Sequence, residues 1–539
     1  MCRLCDEGVP QDHTGSAGDS RRDFLKTAAV TGVAATGLNL FAARPAAADS
    51  GDPPADSGRP GRRYVIRGGS VMSMDPDIGN FSKADIMIEG RKIVAIAPSL
   101  PPGGGTQIDA RGRIVMPGFI DTHHHQFETA LRSFLADGVL INDLSGSPSG
   151  TTTYYEYILN KFAPVYRPQD VYINELFGGL SQLDAGVTTV HDVSQISHTP
   201  AHSDAAIQAL IDTGRRAAFG YFESAGAAII GSNPGNQYPD DAFRINKQWF
   251  SSSDQLVTMI MGGEVYLNGY EKAWKIGREL GLQVAAHILS PFNIRPTLDL
   301  LAQGKGGDSG TLGLGPDNLF IHMTGMSDLG WKGVHDAGAQ VSLAVPIEMN
   351  MRHGMPPILK MQSLNMEPSL SVDVECTLTA DFFTQMRSTM NMQRMVVNQM
   401  ILDTGLPPNP LNPWPTAPFP AGTPNLLTTR DVLRYGTMNG AKALRLDSKV
   451  GSLTPGKEAD IIILDATAIN VAPLNQVPGA VVSLMDRTNV ETVIVAGKVR
   501  KWKGQLLDVD VDKLRRDLEN SRDYVFNKAG IAQNLFSGQ

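Results

Sequence analysis

Between Pro117 and about Leu446 the chain alternates apolar runs of four to seven residues with longer stretches of helical periodicity. Short apolar runs bounded by polar or glycine residues read as strands buried on both faces, and the stretches between them suit the crossover helices that parallel strands require. The runs are Met116–Ile120, Gly186–Val190, Ala217–Phe222, Leu256–Met261, Val284–Ala286, Leu319–Ile321, Ala339–Val345 and Leu370–Val372, eight in all. The expected fold class is α/β, a (β/α)8 TIM barrel over residues 117–446, in which every strand opens C-terminally on one mouth.

The flanks read differently. Residues 63–116 and 447–507 carry short alternating segments such as Tyr64–Met72, Ala84–Ile96, Ala459–Asp465, Val481–Met485 and Val490–Val499, joined by tight turns. They predict a small β-sandwich domain built from both ends of the mature chain, with a linker over 49–62 and a C-terminal helical extension over 508–539. Residues 1–48 read as a twin-arginine signal peptide, on Ser20-Arg-Arg-Asp-Phe-Leu-Lys26, a mildly apolar run from Thr27 to Ala43 and the small residues Ala46–Ala48. The expectation is export by the twin-arginine machinery to the periplasm or beyond, with no membrane span in the mature chain. A Pro-rich insertion over 406–424 shows no periodicity.

Composition narrows the partners. With 47 basic and 55 acidic residues, net −8, the chain has no basic field of the kind nucleic acid needs, so a small-molecule substrate is expected and a homo-oligomer is left open. Of three cysteines, Cys2 and Cys5 lie in the leader and Cys376 is alone, so the mature chain has no disulfide framework.

Histidine is scarce, eleven in 539 residues, and its placement is informative. His123 and His125 leave the first strand at i and i+2, on one face, which makes half a metal site. His287, His322 and Asp373 are each the first polar residue after an apolar run, where a strand hands over to a loop. Four segments therefore end in a potential ligand aimed at the same mouth. His124 is expected to point away and be structural. Gln126, His191, Glu348 and His353 follow strand ends and are candidate substrate contacts; the nearby methionines read as adaptable packing.

These residues resemble the amidohydrolase superfamily of metal-dependent hydrolases. The likeness rests on Pro117-Gly-Phe-Ile-Asp-Thr-His-His-His125, Gly186-Val-Thr-Thr-Val190, the spaced His287, His322 and Asp373, and Gly451-Ser-Leu-Thr-Pro-Gly-Lys-Glu-Ala-Asp-Ile461, and it spans about Tyr64 to Leu507. The branch most resembled holds cytosine and guanine deaminases and triazine hydrolases. The resemblance implies one divalent ion, Zn2+ first with Fe2+ or Mn2+ as alternatives, on His123, His125, His287 and Asp373, with His322 beside the scissile group. No lysine closes the fourth strand at Met259–Glu264, which implies the single-metal form.

One departure bears on the chemistry. The deaminases of that branch carry, three residues after the strand-five histidine, a glutamate that protonates the substrate ring; here the position is Ser290. Either Glu264, Glu348 or Glu375 takes its place, or the substrate needs no ring proton. The expected reaction is hydrolysis of a non-peptide C–N bond in an amide, cyclic amide, carbamate or amidine. Asp373 would act as general base and His322 as the group that stabilises developing charge. The alternatives are deamination or dechlorination of a heteroaromatic ring, a non-catalytic binding barrel and, less favoured, a decarboxylase.

Overall fold

The computed structural model describes residues 52–101, 106–141, 152–224, 237–252, 254–403 and 422–535. The leader over 1–48 lies outside the described residues, as does most of the Pro-rich insertion.

Five strands precede the barrel, β1 (Arg63–Met72), β2 (Asn80–Glu89), β3 (Lys92–Ala97), β4 (Thr106–Asp109) and β5 (Arg113–Pro117). Eight form it, β6 (Phe119–His124), β7 (Val187–Ser194), β8 (Arg216–Tyr221), β9 (Val257–Gly262), β10 (Val284–Ile288), β11 (Asn318–His322), β12 (Gln340–Leu343) and β13 (Ser369–Leu370). Four follow, β14 (Ile461–Asp465), β15 (Val490–Val495), β16 (Lys498–Trp502) and β17 (Gln505–Leu506).

The barrel strands pair in chain order, each parallel to the next. The ring shuts where the segment after β13 meets β6: the Asp373 amide donates to the His123 carbonyl at 3.0 Å and the His125 amide to the Asp373 carbonyl at 2.8 Å. Strands β7, β8, β10 and β11 are buried at every residue, which explains why they read as continuous apolar runs. Alternate residues still divide. Ala218, Ala285, Leu319 and Ile321 pack together with Ala441, Leu444 and Val450, whereas Phe219, Ala286 and Phe320 join the larger core against the helices.

The outer strands form one nine-stranded mixed sheet in the order β17-β16-β15-β14-β5-β1-β2-β3, with β4 also on β1. The expected sandwich therefore takes the form of a single sheet curled around its own core. Tyr64 in β1 donates its hydroxyl to the Gly497 carbonyl at 2.7 Å, although β5 and β14 stand between β1 and β15, a separation of roughly 14 Å in a flat sheet. The core so enclosed includes Ile66, Ile86, Ile88, Ile463 and Ile494; Met116, Ile462 and Leu464 project instead into the barrel's outer core.

Two polar links fix the sheet to the barrel. Arg216, buried at the start of β8, pairs with Glu458 at 2.5 Å and Asp460 at 3.1 Å. Lys501 in β16 reaches the Asp184 carboxylate at 2.7 Å.

The segment Val481–Met485, expected as a strand, is helical over Ala480–Leu484. Pro478 opens the preceding turn, and Arg387, from the long helix Phe382–Leu402, donates to the Val482 carbonyl at 3.0 Å and the Met485 carbonyl at 2.7 Å. Terminal carbonyls satisfied this way need no strand partner. At the other end of the chain a helix runs Val511–Ala529, and Tyr524 on it stacks under Arg167, 3.4 Å from the ring centroid. No helix among the described residues is long and apolar enough to cross a membrane.

Candidate metal centre

The mouth of the barrel gathers the histidines scattered through the sequence. His123 and His125 come from the end of β6, His287 from β10, His322 from the end of β11 and Asp373 from the segment after β13. Ligand atoms of His123, His125 and His287 lie within 4.8 Å of one another, and so do those of His123, His322 and Asp373. His123 Nε2 is 3.1 Å and His125 Nε2 3.7 Å from Asp373 Oδ1, while His322 Nε2 is 3.5 Å from Asp373 Oδ2. All five residues are buried.

Three of the imidazoles are held from behind. His125 Nδ1 faces the Val193 carbonyl at 3.1 Å, His287 Nδ1 the Glu264 carboxylate at 2.5 Å, and His322 Nδ1 the Glu348 carboxylate at 3.1 Å. An acceptor on Nδ1 keeps the proton there and turns the Nε2 lone pair toward the centre. Burial, then the neighbouring histidines, holds His125 and His287 down at about 3, so both are neutral at physiological pH. For His322 burial acts in the same direction but is outweighed by its hydrogen bond to Glu348 and the charge of Asp373, and the net shift is upward. His322 and Asp373 both sit in the left-handed region, at φ of 73° and 69°. Side chains other than glycine hold that conformation at a cost of about 1–3 kcal/mol, and such positions concentrate at functional sites.

The donor set fits a divalent cation. Neutral imidazoles and a carboxylate are the ligands of zinc and its neighbours, and two ligand atoms of a tetrahedral ion lie about 3.4 Å apart when each is about 2.1 Å from it. The separations of 3.1 and 3.7 Å bracket that value. Asp373 Oδ2 is moreover buried with no hydrogen-bond partner, an uncompensated acceptor that a cation satisfies.

The remaining candidates divide. His353 lines the cavity at the mouth together with His125, His287, His322 and Asp373. Glu348 is outside its lining: His322 and, at 2.9 Å, the Ala344 amide both bond its Oε1, so it orients His322. Gln126 is fully buried behind the centre, with Arg215 on its carbonyl and Glu175 on its amide at 3.0 Å, too engaged to meet a substrate. His191 packs inside the barrel with Nδ1 on the Thr122 carbonyl at 3.0 Å, outside the cavity lining. His124 is turned toward Glu375, 3.6 Å away.

None of the three carboxylates offered as substitutes at the Ser290 position reaches the cavity lining. Glu264 backs His287, Glu348 backs His322, and Glu375 is paired with Arg132. Tyr154, Tyr266, Phe292 and Gln195, which do line it, carried no signal in the sequence. They sit in or beside loops after strands, where no periodicity marks a direction.

The 5'-deoxyadenosine deaminase of Methanosarcina barkeri is 26% identical over 473 residues, covering 85% of this chain and 97% of that one. The 5-methylthioadenosine/S-adenosylhomocysteine deaminase of Pelotomaculum thermopropionicum is 25% identical over 84% of this chain and 97% of its own length. Among solved structures, an adenosine deaminase from Xanthomonas campestris with bound zinc superposes with a TM-score of 0.68 at 19% identity, over 88% of this chain and all of the other. The zinc complex of atrazine chlorohydrolase from Arthrobacter aurescens TC1 gives 0.62 at 18%, over 86% of this chain and all of the other. The profile of the Amidohydrolase family matches residues 114–500, from the strand before the first histidines to the return of the chain into the outer sheet, and the protein belongs to that family.

Proposed function

We propose that this protein is a zinc-dependent hydrolase of a non-peptide C–N bond in a small neutral molecule, an amide, cyclic amide or carbamate in preference to an aminated heteroaromatic ring. The observation that carries the preference is the engagement of Glu264, Glu348 and Glu375 elsewhere, with Ser290 at the remaining position. A heteroaromatic ring has to be protonated before water adds to it, and no carboxylic acid other than Asp373 lines the cavity among the described residues.

His123, His125, His287 and Asp373 would hold the ion. Bound there, a divalent cation supplies the Lewis acidity that brings the pKa of a water from about 15.7 toward 7. Asp373 would take a proton from the attacking water and pass it to the departing nitrogen. His322, held through Nδ1 by Glu348, would face the oxygen of the attacked carbonyl with Nε2 and stabilise the charge that develops there when it carries a proton.

The deaminase reading keeps one point in its favour, since the curated relatives named above are deaminases. The test is the zinc-quantified protein assayed against amides, lactams, carbamates and aminated heterocycles. Metal-dependent release of an amine or ring opening supports the proposal. Ammonia released from heterocycles alone overturns it, and no turnover on any substrate favours a binding barrel. We also propose twin-arginine export, on Arg21 and Arg22. Replacing both by lysine should leave the protein in the cytoplasmic fraction; unchanged fractionation would refute it.

A further inference from the structure

We propose that His353 selects the substrate. Its imidazole makes one hydrogen bond to a polar group beside the scissile C–N bond of a molecule whose remaining body is uncharged and apolar. The proposal rests on the hydrolase reading above and names the substrate class of that site.

His353 is 4% exposed and lines the cavity, yet both of its ring nitrogens lack a hydrogen-bond partner. Among the cavity histidines it is alone in this, because His125, His287 and His322 each have Nδ1 engaged. Its ring stands perpendicular to that of His322, centroids 4.7 Å apart, directly beside the group proposed to face the attacked carbonyl. A buried imidazole with no partner is costly and persists where a ligand completes it.

The loop that carries His353 is tied in place. The Thr324 hydroxyl donates to the His353 carbonyl at 2.6 Å and accepts from the Ser290 amide at 3.2 Å, so the loops after β10, β11 and β12 are linked through one side chain. Gly354 follows at a φ of +117°, and a Cβ there would stand 3.1 Å from Thr324 Cβ and 3.7 Å from Ser290 Cβ. The close approach and the backbone angle both call for glycine, and together they fix the direction of His353.

The rest of the wall limits what can enter. Leu140, Leu159, Leu289, Phe292, Met351 and Val374 line the cavity, and no lysine or arginine does among the described residues. The Tyr154 hydroxyl is already given to Glu128. A carboxylate or phosphate on the substrate would find no lysine or arginine in this wall, whereas a neutral amide meets mostly apolar side chains, with His353 beside the scissile bond and Gln195 and Tyr266 as further polar groups.

The experiment uses the zinc-loaded protein, wild type and His353→Leu, with three matched anilides. One carries a hydroxyl beside the scissile nitrogen, one a methyl at the same place, and a third a carboxylate. Expected is a wild-type preference for the hydroxyl over the methyl compound of about tenfold in kcat/KM, abolished in His353→Leu at unchanged zinc content, and partly restored in His353→Asn. The carboxylate compound should be the poorest in every form. Calorimetric binding of the same compounds reads the preference where turnover is slow. No wild-type preference, an equal fall for both neutral compounds in His353→Leu, or good acceptance of the carboxylate overturns the assignment of His353 while leaving the hydrolase reading intact. Absence of metal-dependent hydrolysis alongside a His353-dependent binding preference would overturn the hydrolase reading alone.

Discussion

The two ends of the barrel bury charge in opposite ways. At the N-terminal end, Arg216 meets Glu458 and Asp460, and Asp460 also accepts from the Ala496 amide at 2.7 Å, so the charges are paired and hydrogen-bonded. At the C-terminal end, Asp373 Oδ2 and both nitrogens of His353 have no hydrogen-bond partner, and His322 and Asp373 are among the residues there with left-handed backbone. Buried charge is tolerated at the first end because it is closed on itself. It is useful at the second because it is not.

That contrast can be broken by exchange of roles. Asp373→Asn should lower turnover by roughly 10²–10⁴-fold, while the metal-free protein keeps its unfolding midpoint within a few degrees. A large loss of apoprotein stability would mean that Asp373 is structural. Arg216→Met should do the reverse, leaving Glu458 and Asp460 without their partner and destabilising by about 3–5 kcal/mol in urea unfolding. A loss under about 1 kcal/mol would erase the contrast. Glu264→Gln, which alters only the group behind His287, should weaken zinc binding by about 10–100-fold in competition with a chelator, with the fold retained.

A smaller effect separates packing from site. Burial holds His198, whose Nε2 faces the Ala163 carbonyl at 2.9 Å, down at about 4, against about 6.5 in an unfolded chain. As pH falls the unfolded chain takes up the proton first, so this contribution is intact above pH 6.5 and lost progressively toward pH 4. The loss is about 2 kcal/mol at pH 5. His198→Gln should flatten stability across that window by the same amount; an unchanged acid limb would assign it to the histidines of the mouth.

The sequence carried more of the mouth than of its support. His123, His125, His287, His322 and Asp373 were legible because a polar residue ending a buried run has one place to go, the open end of the sheet. Glu264 and Glu348 were legible as carboxylates near strand ends but not in direction, and they proved to stand behind their histidines. Gln126 was misread for the same reason. The pairing of Arg216 with Glu458 and Asp460 spans more than 240 residues and left no local trace. Val481–Met485 has the β-branched run of a strand. Its helical form depends on Arg387, nearly a hundred residues earlier, supplying donors to its carbonyls.

The backbone bonds that complete the ring are made by His123, His125 and Asp373, the same residues proposed to hold the cation. First and last staves of the cask are fastened through the backbone of the very residues whose side chains are proposed to grip the ion. A chain arrested with seven staves assembled would lack both the clasp and the carboxylate, so uptake of the ion can report that the whole circle has been drawn tight.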